Sequence, residues 1–153
     1  MIDPRVPRWL TASIYKHFDA LKTNGTVFIE GMERDGRSAK DLFELRLDGP
    51  KIEEYAVNDA RLYIDVNILV QATLDRADRY RIHSLIGTVV ALYTDIPVFQ
   101  YGDGDAAFGC LQLQSQRQGG NILVSHLGQI DLKTAITQSV VTGQYVFMYE
   151  GVN

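Results

Sequence analysis

The segment Gly31-Met32-Glu33-Arg34-Asp35-Gly36-Arg37-Ser38 has the spacing of a phosphate-binding loop, with Arg37 where that loop carries lysine. In such a loop the backbone N–H groups cradle phosphate oxygens and a hydroxyl holds magnesium. Leu62-Tyr63-Ile64-Asp65 would then supply the carboxylate that holds the metal. The charges argue against this chemistry. Glu33 and Asp35 put negative charge where phosphate would sit, and Asp65 falls mid-strand instead of at a strand end facing a pocket. A solvated hairpin loop accounts for the segment better.

Gly102-Asp103-Gly104-Asp105 offers carboxylates one residue apart, as a calcium loop begins, but no further ligand follows at the required positions. A plain acidic turn is the simpler reading. His17, His83 and His126 lie on different elements, with no second ligand at helical or hairpin spacing, so the sequence predicts no zinc site and places His17 as a partly buried helix residue. Cys110 sits in the alternating run Cys110-Leu111-Gln112-Leu113 with no histidine nearby to act as a base, which makes it a small strand residue. No catalytic constellation is intact. No cofactor is implied, and the chain reads as a non-enzyme.

The elements that would position these residues follow from hydrophobic period. Leu62, Ile64, Val66, Ile68, Val70 and Ala72 recur at every second position, which predicts one long strand with one buried face. After Asp75-Arg76-Ala77-Asp78 the apolar set becomes Ile82, Leu85, Ile86, Val89, Val90 and Tyr93, spaced by three and four along a helical stripe. That stripe is expected to lie on the strand's apolar face, with Ile64, Val66, Ile68, Leu85, Ile86 and Val89 as core.

An amphipathic helix is predicted from Pro7 to Thr23, with Leu10, Ile14, His17, Phe18 and Leu21 on one stripe and Asn24-Gly25 as its stop. Strands are predicted at Thr26–Glu30 and Phe43–Leu47, the second followed by a turn at Asp48-Gly49-Pro50 and a hairpin partner through Tyr55. Between them, Gly31 to Asp41 is a charged loop without apolar anchors. Further strands are predicted at Val98–Tyr101, Leu111–Gln116, Ile122–Leu127 and Val140–Tyr149, with a turn at Gly119-Gly120-Asn121. The fold class is α+β: a mostly antiparallel sheet with two amphipathic helices packed on it, in a single domain over residues 1–153.

The outward side of the long strand mixes Tyr63 and Leu69 with Asp65, Asn67 and Gln71, a composition closer to a protein contact than to open solvent. Arg76, Arg79 and Arg81 interleave with Asp75 and Asp78, which reads either as a self-paired solvated face or as part of a contact between subunits. Tyr63, Leu69, Arg76 and Arg79 are therefore the candidate subunit interface. With 153 residues, 46% hydrophobic and 22% charged, the chain can bury a core without staples. No apolar run approaches the length of a membrane span, and Met1-Ile2-Asp3-Pro4-Arg5 lacks the features of a secretory signal, so a cytosolic, non-membrane protein is expected. The net charge of −4 disfavours tight binding to nucleic acid.

The order helix, strand, charged loop, strands, then RLYIDVNILVQATLDRADRYRIHSLIGTVVALY and a β-rich end resembles the tail terminator and tail completion (neck) proteins of long-tailed bacteriophages. The resemblance spans Pro7 to Tyr149. It implies a virion structural protein, made in the host cytoplasm, whose small subunits close into a homohexameric ring at the head-proximal end of the tail. Such a ring ends tube growth and presents a face to the head connector. Its implied partners are other copies of itself, the tail tube protein and the head–tail connector proteins, with DNA only passing through. Within that picture Asp103 and Asp105 are candidates for the lumen or its rim. A tail tube subunit is the nearest alternative. A small α+β ligand-binding domain or enzyme, with a pocket between the central helix and the sheet, is the alternative from another class.

Overall fold

A computed structural model describes residues 2–30, 41–73, 80–114, 122–131 and 136–150. The segment 31–40, the turn at 119–121 and the candidates Arg76 and Arg79 lie outside the described residues.

The period-two run becomes β3, Asp59–Thr73, the middle of a curled, mixed sheet. Around it are β1 (Thr26–Ile29), β2 (Leu42–Ala56), β4 (Ile96–Phe99), β5 (Ala107–Leu113), β6 (Leu123–Asp131) and β7 (Ile136–Glu150). The strand order is β1-β2-β3-β7-β5-β4, with β6 also paired to β7. Every pairing is antiparallel except β1 with β2. Helix α1 spans Val6–Phe18 and continues into a 3-10 turn at Asp19–Thr23. Helix α2 spans Arg81–Leu92.

The central expectation holds. Ile64, Val66 and Ile68 of β3 share one buried cluster with Leu85, Ile86 and Val89 of α2 and with Leu10, Ile14 and Phe18 of α1. Burying such side chains contributes about 1.5–3 kcal/mol each, so these three elements carry much of the stability. Tyr93, just past α2, joins this cluster and lies against Gly143 of β7. Its hydroxyl oxygen is 2.8 Å from Val66 O and 3.0 Å from Val141 O, so the buried phenol donates to the backbone of the central strands. A Cβ at position 143 would come within 2.6 Å of the Tyr93 ring, which makes glycine the residue that fits there.

Two boundaries differ from the sequence expectation. Asp48-Gly49-Pro50 is a bulge inside β2 and not a hairpin turn: Asp48 pairs with Asp65 and Lys51 with Tyr63, so one extra residue is absorbed on the β2 side. Gly49 takes a φ of 114°, and Pro50 has no N–H to give to the ladder, so the strand kinks there and continues. The chain reverses instead at Val57-Asn58. The N-terminal helix is also shorter than expected, because its last turn tightens to 3-10 geometry.

Helix α1 is tied down along its length. The Phe99 N–H donates to Ser13 Oγ at 3.2 Å, and His17 Nε2 lies 2.7 Å from Leu92 O, which accounts for a half-buried histidine. At the start of β2, Asp41 receives the Arg81 guanidinium, with Arg81 Nε 2.9 Å from Oδ2, joining β2 to α2. Among the described residues no helix is long and apolar enough to cross a membrane.

Candidate functional site

The sheet face opposite the core carries the residues that the sequence singled out. In antiparallel register, Tyr63, Asp65 and Asn67 of β3 stand beside Lys51 and Asp48 of β2 and beside Val146, Gln144 and Thr142 of β7. Strand alternation forces this arrangement, since residues facing the core alternate with residues facing away from it. Hydrogen bonds order the polar members. Asn67 Nδ2 donates to Asp48 Oδ2 at 3.0 Å, and Thr142 Oγ1 donates to Asn67 Oδ1 at 2.8 Å, a polar ladder across three strands.

Two concavities open on this face. One, of about 520 Å³, is lined by Asp48, Lys51, Glu53, Tyr63, Asp65 and Gln144. The other, of about 130 Å³, is lined by Arg61, Tyr63, Gln112, Val146 and Met148, among others. Tyr63 borders both, half-buried, as suits a residue at a contact. Neither concavity lies between the central helix and the sheet, where the ligand-binding alternative places its pocket. No cluster of three or more His, Cys, Asp or Glu side chains able to hold a metal occurs among the described residues.

Leu69 departs from expectation. It points to the outer face in register with Glu44 and Val140, yet it is only 2% exposed. Glu44 and Gln71 beside it are also buried. The outer face is thus open from Arg61 to Asn67 and closed from Leu69 to Gln71. The buried amide of Gln71 is satisfied within the sheet by Gln138 Nε2 at 3.0 Å. Leu69 is a packing residue in the single chain, not a surface one.

Asp103 and Asp105 also have work inside the chain. Trp9 is 1% exposed, and its indole N–H donates to Asp103 Oδ2 at 2.8 Å. Arg5 Nη1 stands 3.7 Å from the other Asp103 oxygen, and its guanidinium lies over the Trp9 ring, 5.0 Å from the centroid. Asp105 has a φ of 54°, and its Oδ1 accepts the Gly102 N–H at 3.1 Å. The acidic turn is therefore built to hold itself and to anchor α1. Asp3 beside it accepts three bonds from Arg5, and this pairing lowers its carboxyl below the usual range.

Possible edge strands are expected from the sequence, and the strand order locates two of them. Beyond the bulge, Lys51–Ala56 of β2 pairs with β3 alone among the described residues, and it carries Ile52 at 47% and Tyr55 at 50% exposure. Tyr55 stacks under the Arg61 guanidinium, 5.3 Å from the ring centroid, which holds it outward. Strand β6 pairs with β7 alone among the described residues and carries Leu123 and Leu127, both more than half exposed. The two edges lie on opposite sides of the β3–β7 pair. Alternation within Ile122–Leu127 predicts a strand, but only the strand order reveals that its outer side is an edge. No protein-family model and no curated protein sequence matches this chain.

Proposed function

We propose that this chain is a non-enzymatic structural subunit that associates head to tail into a closed ring, in the manner of a tail terminator at the head-proximal end of a bacteriophage tail. In this reading the ring is a hexamer. It stops growth of the tail tube, meets the head connector on its other face, and lets DNA through without holding it. The ordered polar ladder of Asp48, Asn67 and Thr142 suits a wet inner wall.

The observation that carries the proposal is the pair of opposite sheet edges, one with Ile52 and Tyr55 and the other with Leu123 and Leu127. Unpaired strand edges with exposed apolar side chains are a liability in a solitary protein, because they template pairing with another chain. Two different edges on opposite sides cannot satisfy each other within one chain. They can do so between copies, and a heterologous contact closes into a ring when its rotation permits. The net charge of −4 fits a passive channel, since like charge lowers affinity for phosphate.

Tyr55→Asp and Leu127→Asp test this directly. Each is expected to lower the oligomeric mass seen by light scattering while leaving the far-ultraviolet circular dichroism unchanged, because charge is excluded from interface cores. Both variants retaining the mass of the unmodified protein would remove these edges from the assembly. Inhibition of tube elongation, when the protein is added to polymerising tail tube subunits, would separate a terminator from a tube subunit, which should extend the tube.

A further inference from the structure

We propose that His83 and His126 form a binding site for a divalent transition cation, with Zn²⁺, Ni²⁺ and Cu²⁺ as the class that imidazole suits. The residues are far apart in sequence, one on α2 and one on β6, and their ring centroids are 5.6 Å apart with planes inclined by 69°. Two imidazoles that share one tetrahedral cation at about 2.0–2.1 Å through one nitrogen each have centroids roughly 5 Å apart. The observed centroid spacing is therefore close to that of two imidazoles sharing one ion.

A supporting partner is already in place. His126 Nδ1 lies 2.8 Å from Oγ of Ser139, a β7 residue only 1% exposed. That contact engages Nδ1 and leaves Nε2 as the nitrogen for a cation, the arrangement by which an outer hydrogen bond orients a metal-binding histidine. His83 makes no hydrogen bond among the described residues, and both side chains reach solvent, so water can complete the coordination sphere. The site joins α2 to β6, which requires the folded chain; a bound cation therefore stabilises the native state.

The test is calorimetric titration of the chelator-stripped, full-length protein with Zn²⁺ and separately with Ni²⁺, paired with thermal melts. One cation per chain and a melting temperature raised by the metal and restored by EDTA are expected. His83→Ala and His126→Ala should each weaken binding on the order of tenfold or more and abolish the thermal shift, and Ser139→Ala should weaken it about 10–100-fold. His17→Gln, which alters the histidine held by Leu92 O, should leave affinity unchanged. Circular dichroism of each variant confirms that it is folded. Equal affinity in the folded His83→Ala and His126→Ala proteins, or a loss no greater than that of His17→Gln, would overturn the site.

Discussion

Replacing Asp103 with alanine separates a structural role for the acidic turn from a role in a channel wall. The Trp9 indole is 1% exposed and loses its one acceptor in this variant. A hydrogen bond to a charged group contributes about 1.5–3 kcal/mol, and stranding its buried donor costs about 1–3 kcal/mol. The Asp103 side chain is 26% exposed, so water softens the loss and the lower part of that range, about 1.5 kcal/mol, is expected. Arg5 adds little, being 3.7 Å away with a side chain 55% exposed. For a chain of this length each kcal/mol moves the melting temperature by about 2–4 °C, so Asp103→Ala should melt about 3–6 °C lower. Asp103→Asn keeps an acceptor and should lose less. Trp9→Phe, alone and combined with Asp103→Ala, completes a cycle in which the double variant loses less than the sum of the single ones. A melting temperature for Asp103→Ala within about 1 °C of the unmodified protein would refute the anchoring role.

Leu69→Asp should unfold the chain instead of merely dissociating it, because a charge would be buried beside Glu44; loss of the circular dichroism signal at 25 °C checks this, and a folded monomer would return Leu69 to the interface. Gly143→Ala should cost about 1–3 kcal/mol in urea unfolding, since its Cβ would stand 2.6 Å from a Tyr93 ring pinned by its hydroxyl to Val66 and Val141. Burial pushes the Tyr93 and Tyr145 hydroxyls far above their ordinary value near 10, the latter helped by Asp95. A raised folded-state pKa means that stability is fully present below pH 10 and is lost as pH rises beyond it, because the unfolded chain releases those protons first. Urea midpoints should therefore fall between pH 10 and pH 12, and should fall less in Tyr93→Phe.

The sequence and the structure agree where a single periodicity decides the outcome. Alternation from Leu62 to Ala72 and the stripe from Ile82 to Tyr93 are local signals strong enough to fix β3, α2 and the cluster between them. Asp48-Gly49-Pro50 misled because a bulge and a turn draw on the same residues, and only the partner register distinguishes them. Leu69 reads as outward by parity, and it is outward; its burial is a tertiary property that no local pattern encodes. Asp103 looked like a free acid because its partner Trp9 is 94 residues away. The pairing of the two histidines and the positions of the two sheet edges are likewise set by topology, the first by β6 lying beside β7 and the others by the strand order.

Ring closure is tested most directly by negative-stain electron microscopy of the purified full-length protein, with two-dimensional class averages examined for rotational symmetry. Closed six-fold rings with a central opening are the expected result, and they should disappear in Tyr55→Asp. A homogeneous population of monomers or two-fold dimers at concentrations where assembly is sought would contradict the central proposal that the opposite edges of one sheet meet between copies of this chain.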